Sequence, residues 1–378
     1  MLAKKPPMGW NSWNTFGRNI HEKLILEMAD AMVDLGYRDA GYEYLVIDDC
    51  WSTMERDENG RLVPDPEKFP HGMKYISDYV HSKGLKFGMY SCAGMMTCAG
   101  YPSSYDHEYT DAQTFADWGV DFLKYDYCNF PDEADCKMRY LRMSMALKAS
   151  GRDILFSACN WGHEEPWKWM ASIGAHMYRS TGDIQDNYVS FRNIALSQID
   201  NLCMSGSGCF NDPDMLIVGM FGKGNAALGG CTATEYRTHF AIWCLFGAPL
   251  MMGGDIRNLD EESKKLLQNP YLIALDQDEE CRPPMLVQTQ KDQYFFVRHL
   301  SNNEFALAYF NFADEEVRSR NTVSGAFDSL GIPYDSGYGL ELTDMFTGEK
   351  LGVKRDYFIP RPDVHDCRLY HAKLVKVK

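Results

Sequence analysis

The sequence predicts an α/β fold: a (β/α)8 TIM barrel over residues 1–275, followed by a C-terminal antiparallel β-sandwich over residues 276–378. Three observations lead there. Between residue 6 and about residue 270, short β-branched or aromatic runs alternate with longer amphipathic stretches, and eight such units can be counted. Carboxylates and amides fall at or just past the ends of five of these runs, where a barrel keeps its chemistry. After about residue 275 the texture changes to alternating apolar and polar residues between Asn, Asp and Gly turn signals.

In chain order, the predicted strands are PMGWNSW (6–12), YEYLVIDD (42–49), KFGMYS (86–91), DFLKYD (121–126), ILFSACN (154–160), MYRSTGD (177–183), CFNDPDM (209–215) and PLMMGGD (249–255). Helical patterns separate them. HEKLILEMADAMVDLGY, MKYISDYVHSKG, DAQTFADWG, DCKMRYLRMSMALKASG and ATEYRTHFAIWCLFG are amphipathic, and several reach the Gly that a C-cap favours. The later runs QYFFVRHL, EFALAYFNF, GLELTDMF and CRLYHAKLVKV read as antiparallel strands, and no reacting constellation appears among them.

Composition narrows the partners. The 53 acidic and 38 basic residues leave a net charge of −15, and no Lys/Arg-rich block could track a phosphate backbone. Nucleic acid is therefore not an expected partner, and a neutral ligand fits this balance better. The 8 Trp, 22 Tyr and 20 Phe supply apolar faces of the kind that stack on sugar rings, although most belong to the core. The longest apolar run, 240–254, is broken by Gly247 and Pro249 and falls short of the ~20 residues of a membrane span, so no membrane partner is expected. The first ten residues hold no apolar signal segment, which predicts a cytoplasmic location. Twelve cysteines occur without a CxxC pair or a paired metal-ligand spacing. The chain is thus expected to carry no metal and no cofactor, with most cysteines reduced and buried as small hydrophobes, as the surroundings of Cys203 and Cys244 suggest.

The polar strand ends are Asp48 and Asp49, Asp126, Asn160, Asp183 and Asp214. Any one of them has an ordinary explanation as a turn residue. Glycoside cleavage, however, needs an acid for the leaving oxygen and, when configuration is retained, a carboxylate on the opposite face of the sugar. Asp126 ends LKYD and Asp183 ends RSTGD, two strands further round the barrel, so the pair can flank a ligand on its axis. Lys124 shares a strand face with Asp126, where its charge would keep a nucleophile ionised; Asp183 is expected in a more apolar setting that keeps it protonated. Spacing alone does not separate this reading from structural turns.

The stretches PPMGWNSWN, YLVIDDCW, FPHGMKYISDYVHSKGLKFGMY, TCAG, DAQTFADWGVDFLKYDYC, RSTGD and NDPDML, in this order from residue 6 onward, closely resemble glycoside hydrolase family 27, the α-galactosidase and α-N-acetylgalactosaminidase family of clan D. The resemblance implies retaining hydrolysis of terminal α-D-galactosides, with Asp126 as nucleophile and Asp183 as acid/base. It further implies that Trp10 forms an apolar wall and that Asp48 and Asp49 bind the O4 and O6 hydroxyls. Lys124, Arg179 and Asp214 would hold the remaining hydroxyls and the catalytic carboxylates, and Tyr90 would support the nucleophile.

Within that family, small residues after the fifth strand admit an acetamido group, but here the loop carries Cys159, Asn160 and Trp161, which favours the plain galactoside. Relatives acting on β-L-arabinopyranosides replace the second Asp by Glu, and here Asp49 is retained. Cys50 lacks the partner that secreted relatives carry near position 20, and Cys159 faces Ala175 where a second cysteine is expected. Only Cys98 and Cys128 keep the family pairing, and Phe210 replaces the usual Trp. Another sugar specificity, a catalytically silent galactoside-binding protein, and a hard-cation site at Asp48, Asp49 and Asp214 are the alternatives. Assembly is left open, since the family includes monomers, dimers and tetramers and a homo-oligomer is compatible. Two further segments invite interpretation. GKGNAALGG (222–230) lacks the GK[ST] ending of a phosphate loop and reads as a flexible loop beside the barrel mouth. His163, Glu164 and Glu165 either contact the aglycone or start a helix at Pro166.

Overall fold

Eight parallel strands surround the barrel axis in the computed structural model, which describes residues 2–315, 323–333, 335–355, 358 and 360–377. They are β1 (Met8–Asn11), β2 (Tyr44–Val46), β3 (Lys86–Cys92), β4 (Phe122–Asp126), β5 (Leu155–Cys159), β6 (Met177–Arg179), β7 (Phe210–Asp212) and β8 (Leu250–Met252). Each falls within its predicted run, except that β3 extends one residue beyond it. Neighbours in sequence pair in register, and β1 also pairs with β8. β7 and β8 do not pair directly. The ring closes through Leu216, whose N–H donates to Met251 O (2.8 Å) and whose carbonyl accepts from Gly253 N (2.9 Å).

Period-two alternation divides the barrel interior into layers. Phe122, Leu155, Met177 and Phe210 form, with Tyr44, Val46 and Met251, an apolar floor. Two residues further along the same strands stand Lys124, Ser157, Arg179 and Asp212, a polar layer on that floor. β2 is shorter than its predicted run because side-chain oxygens capture the next backbone N–H groups: Asp48 N donates to Ser12 Oγ (3.0 Å) and Asp49 N to Asp48 Oδ1 (2.9 Å).

The surrounding helices follow their capping residues. Asp135 accepts from Met138 N to open Cys136–Ala149, and a reciprocal Thr232/Glu235 capping box opens Ala233–Phe246. Gly247, at φ 65°, ends the latter helix in a left-handed conformation. Between β5 and β6 two short 3₁₀ turns, Pro166–Lys168 and Met170–Ile173, stand where a barrel usually has an α-helix. Among the described residues no helix is long and apolar enough to cross a membrane.

The C-terminal part is an antiparallel sheet of β9 (Met285–Gln290), β10 (Gln293–His299), β11 (Glu304–Asn311), β12 (Tyr338–Asp344), β13 (Lys350–Lys354) and β14 (Cys367–Lys376), in the order β13-β12-β14-β11-β10-β9. Where a sandwich would place a second sheet, the described residues place helices. One face, with Phe296, Ala308, Phe310 and Leu369, joins the barrel core, and the other packs Phe295, Leu307 and Tyr309 with Ala326 and Phe327 of the short helix Val323–Ser329. Buried Arg298 locks the two parts together by donating to Cys244 O and Leu245 O (both 3.1 Å) at the negative end of helix Ala233–Phe246.

Candidate active site

A cavity lies at the C-terminal ends of the strands. Asp126, the last residue of β4, and Asp183, four residues past β6, both line it, together with Asp48, Asp49, Tyr90, Lys124, Trp161, Arg179 and Asp214. Strand register accounts for the convergence: Tyr90 is level with Lys124, and Arg179 with Asp212.

Two buried cations organise the carboxylates. Lys124 Nζ lies 2.8 Å from Asp48 Oδ2, which also accepts from Asn11 Nδ2 (2.8 Å). Burial opposes the Lys124 charge, but Asp48 and Asp126 outweigh it and hold the ammonium well above its ordinary pKa. Arg179 Nη2 reaches Asp214 Oδ2 (2.5 Å) and Asp183 Oδ1 (3.0 Å). Burial raises the Asp214 carboxyl against the pull of Arg179. Asp49 accepts from Cys50 N (2.6 Å) and Ala99 N (2.8 Å), with the Thr97 side chain as a further partner, and burial pushes its carboxyl up. These partners already occupy the oxygens that a hard cation would need.

The two central aspartates differ in exposure, in the sense opposite to expectation. Asp126 is 4% exposed; burial raises its carboxyl, and Lys124 is the main opposing influence. Its Oδ1 accepts from Tyr127 N (2.9 Å). The Asp183 side chain is 67% exposed, so the apolar setting expected around it is not present in the open cavity. Among the described residues, Arg179 holds it through Asp183 Oδ1. The buried Tyr90 hydroxyl has no hydrogen-bond partner in the open site and requires one from ligand or solvent.

Three expected binding residues lie elsewhere. Trp10 is fully buried and donates its indole N–H to Gly254 O (2.8 Å), so it walls no cavity. The tryptophan that lines the site is Trp13, two residues past β1, the same offset that Asp48 has from β2 and Asp214 from β7. Asn160 is buried and turned back, donating Nδ2 to His163 O (2.5 Å). Cys159 lines a narrow space beneath the site, where Arg179 Nη1 lies 3.9 Å from its Sγ. Asn14, Cys98 and Met215 also line the upper cavity, and Asn11 and Asp212 the narrow space beneath it. The strand-end offset could have found Trp13, but nothing local marks the others.

Loop 222–230 lies beside the barrel mouth and is held there by hydrogen bonds. Ala226 N donates to Asn14 O (2.8 Å), and buried Asp186 accepts from Gly222 N (2.6 Å) and Tyr236 Oη (2.7 Å). It thereby supports the segment that carries Trp13 and Asn14. Of the two readings of His163, Glu164 and Glu165, a helix start at Pro166 is what forms: a short 3₁₀ turn opens there with Glu165 at its N-cap position, although Glu165 makes no side-chain capping bond.

Cys98 and Cys128 form a disulfide, and ten cysteines are free, Cys50 and Cys159 among them. Cys98 Sγ lies 3.7 Å from Asp126 Oδ2. These two sulfurs and Asp126 are close enough for a metal cluster, but bonded to each other the sulfurs are no longer thiolate ligands. A Cβ at Gly94 would lie 2.0 Å from Cys128 O, so only glycine lets this loop close on β4. Non-glycine residues in left-handed conformations gather here, with Cys50 at φ 73°, Trp161 at 55° and Asp214 at 96°. Each costs about 1–3 kcal/mol, as is common where a site needs a particular side-chain direction.

Residues 5–278 match the family described as alpha galactosidase A. An α-galactosidase of Cyamopsis tetragonoloba is 42% identical over 98% of this chain and 86% of its own. The structure superposes on α-galactosidase I of Mortierella vinacea with a TM-score of 0.92 at 34% identity, covering 98% of this chain and 97% of that one. The Saccharomyces cerevisiae α-galactosidase solved with raffinose gives a TM-score of 0.89 at 28% identity, with 98% of each chain covered. With a family match over most of its length and relatives aligned nearly end to end, this chain is a glycoside hydrolase and belongs to glycoside hydrolase family 27, the α-galactosidase family.

Proposed function

We propose that the chain hydrolyses terminal, non-reducing α-D-galactosides with retention of configuration, by double displacement. Asp126 attacks the anomeric carbon while Asp183 gives its proton to the leaving oxygen, forming a galactosyl ester on Asp126. Asp183 then removes a proton from water, which attacks the same carbon, releases Asp126 and yields α-galactose. The observation that carries this reading is the pairing of a buried, cation-supported carboxylate with an exposed one in a single cavity. A buried carboxylate is poorly hydrated and so a better nucleophile, whereas one at the mouth can exchange protons with leaving group and water. Asp48 and Asp49, fixed by Lys124 and backbone N–H groups, suit the axial O4 and the O6 of galactose. Trp161 in the cavity wall leaves little room for a 2-acetamido group.

Proton NMR of early hydrolysis of a nitrophenyl α-galactoside tests the stereochemistry. α-Galactose is expected first; initial release of the β anomer contradicts the double displacement. A matched panel of nitrophenyl glycosides tests the sugar, and a higher kcat/KM on the acetamido substrate overturns the role given to Trp161. Asp126→Ala is expected to lose turnover while still binding galactose, and hydrolysis by that variant at the wild-type rate excludes Asp126 as nucleophile. We also infer a cytoplasmic setting with most cysteines reduced, supported by ten free cysteines, nine of them buried, beside the single Cys98–Cys128 disulfide.

A further inference from the structure

Asp183 stands exposed at the cavity mouth, and the loop that presents it hangs on the segment after β7 at three points. Ser180 N donates to Asp212 O (3.1 Å), Thr181 Oγ1 to Pro213 O (3.2 Å) and Ile184 N to Asp214 Oδ2 (2.7 Å). Asp214 Oδ2 also meets Arg179 Nη2, the group that holds Asp183. The place of Asp183 therefore follows the backbone at Asp214. That backbone has a φ of 96°, in a region that residues other than glycine avoid, so the surroundings must hold it there.

Trp243 of helix Ala233–Phe246 supplies the hold. It is fully buried and does not line the cavity, and its indole N–H donates to Asp214 O (2.8 Å). With that bond every polar atom of Asp214 is engaged, since its N–H donates to Asp212 Oδ1 (2.9 Å) and its Oδ1 accepts from Met215 N (2.7 Å). One turn earlier on the helix, His239 meets the Trp243 ring edge-on (4.1 Å between centroids) and accepts from Ile217 N at Nε2 (3.2 Å). Burial pushes the His239 pKa down to about 3, so its ring is neutral at ordinary pH and Nε2 stays an acceptor. The helix thus grips segment 214–217 at both ends.

We propose that Trp243 is a positioning residue for the acid/base: its N–H fixes the Asp214 peptide and, through it, the loop that presents Asp183. The inference rests on the assignment of Asp183 as acid/base. Without the N–H the peptide after Asp214 is free to turn, φ relaxes toward the ordinary negative range, and the carboxylate is drawn away from Ile184 N and Arg179. Asp126, at the end of β4, takes part in none of these hydrogen bonds and keeps its place. Proton delivery is then lost while the nucleophile stays.

The test compares kcat/KM, which reports the first displacement alone, on methyl α-galactoside and on α-galactosyl fluoride. Methanol leaves only with a proton, whereas fluoride needs little help. Two variants remove the donor: Trp243→Phe, and replacement of Trp243 by the isosteric benzothienylalanine, which puts sulfur where the N–H stands. The second preserves the packing should the first fail to fold, and melting curves check both. In each, the methyl-to-fluoride ratio is expected to fall about ten- to a hundredfold, as for an acid misplaced by about an ångström. An equal loss on both substrates marks general structural damage and overturns the proposal, as does an unchanged ratio in the isosteric variant. Asp183→Ala is the reference: its ratio is expected to fall further, and adding Trp243→Phe to it is expected to lower the ratio no more. Should Asp183→Ala leave the ratio unchanged, the acid/base assignment itself fails and the role of Trp243 falls with it.

Discussion

Lys124→Met removes a charge from the centre of the site while keeping side-chain length, and its consequences can be calculated separately for activity and stability. Lys124 Nζ sits 2.8 Å from Asp48 and is the strongest influence opposing the burial of Asp126. A nearby cation favours the ionised carboxylate, so its loss raises the Asp126 pKa further. The nucleophile then loses its charge at a higher pH on acidification, and the acidic limb of kcat/KM moves upward. An opposite charge at close range is worth about 1–3 pH units to a carboxyl. Because Lys124 makes its short contact with Asp48, the low end applies, about one unit or ~1.4 kcal/mol. Stability also falls, since buried Asp48 is left with an unpaired charge, at about 3–5 kcal/mol. For 378 residues an unfolding entropy of ~2.1 cal/mol/K per residue totals ~0.8 kcal/mol/K, so the melting temperature drops by about 4–6 °C. Rate profiles over about pH 3–8 on a nitrophenyl α-galactoside, with calorimetry on the same samples, measure both. A folded variant whose acidic limb stays in place or moves to lower pH refutes the assignment of Lys124 as the group that keeps Asp126 ionised.

Asp183→Asn should slow hydrolysis about 10²- to 10⁴-fold, more for a sugar leaving group than for nitrophenol. Because that side chain is 67% exposed, its melting temperature should hardly change, and a large drop argues for a structural role. Asp49→Glu lengthens a carboxylate anchored by Cys50 N and Ala99 N, and should lower the preference for α-galactoside over β-L-arabinopyranoside by about tenfold or more; an unchanged ratio removes Asp49 from sugar selection. Opening the Cys98–Cys128 bond, by a dithiol or as Cys98→Ser with Cys128→Ser, frees a 30-residue loop and should cost about 3–4 kcal/mol. The same loop carries Ala99 N on Asp49, so KM for galactosides should rise; equal KM with and without reductant contradicts that link.

Much of this was legible along the chain. All eight barrel strands lie where short apolar runs meet turn residues, because a strand buried on both faces has little room for polar groups. The shared face of Lys124 and Asp126 followed from strand periodicity. Trp10 and Trp13 were not separable in this way. Which of them lines the cavity depends on β1 ending at Asn11, and that end is set by hydrogen bonds between Asn11 and Ser12 and Asp48, which stands just past the neighbouring strand β2. Asn160 looked like a ligand because it ends a strand, yet its amide is used by His163 O, a contact created by the left-handed turn at Trp161.

Local order along the chain was therefore enough to set the identity and sequence of the strands, the side of each that faces inward, and the acidic residues at their tips. Packing among strands distant in sequence settled the rest: closure through Leu216, a single antiparallel sheet backed by helices, a buried Asp126 opposite an exposed Asp183, and cations shared between carboxylates. The division has a simple cause. Periodicity is a property of neighbouring residues, whereas burial, charge pairing and the direction of a side chain beyond a strand end are imposed by groups that reach the same place from other parts of the chain.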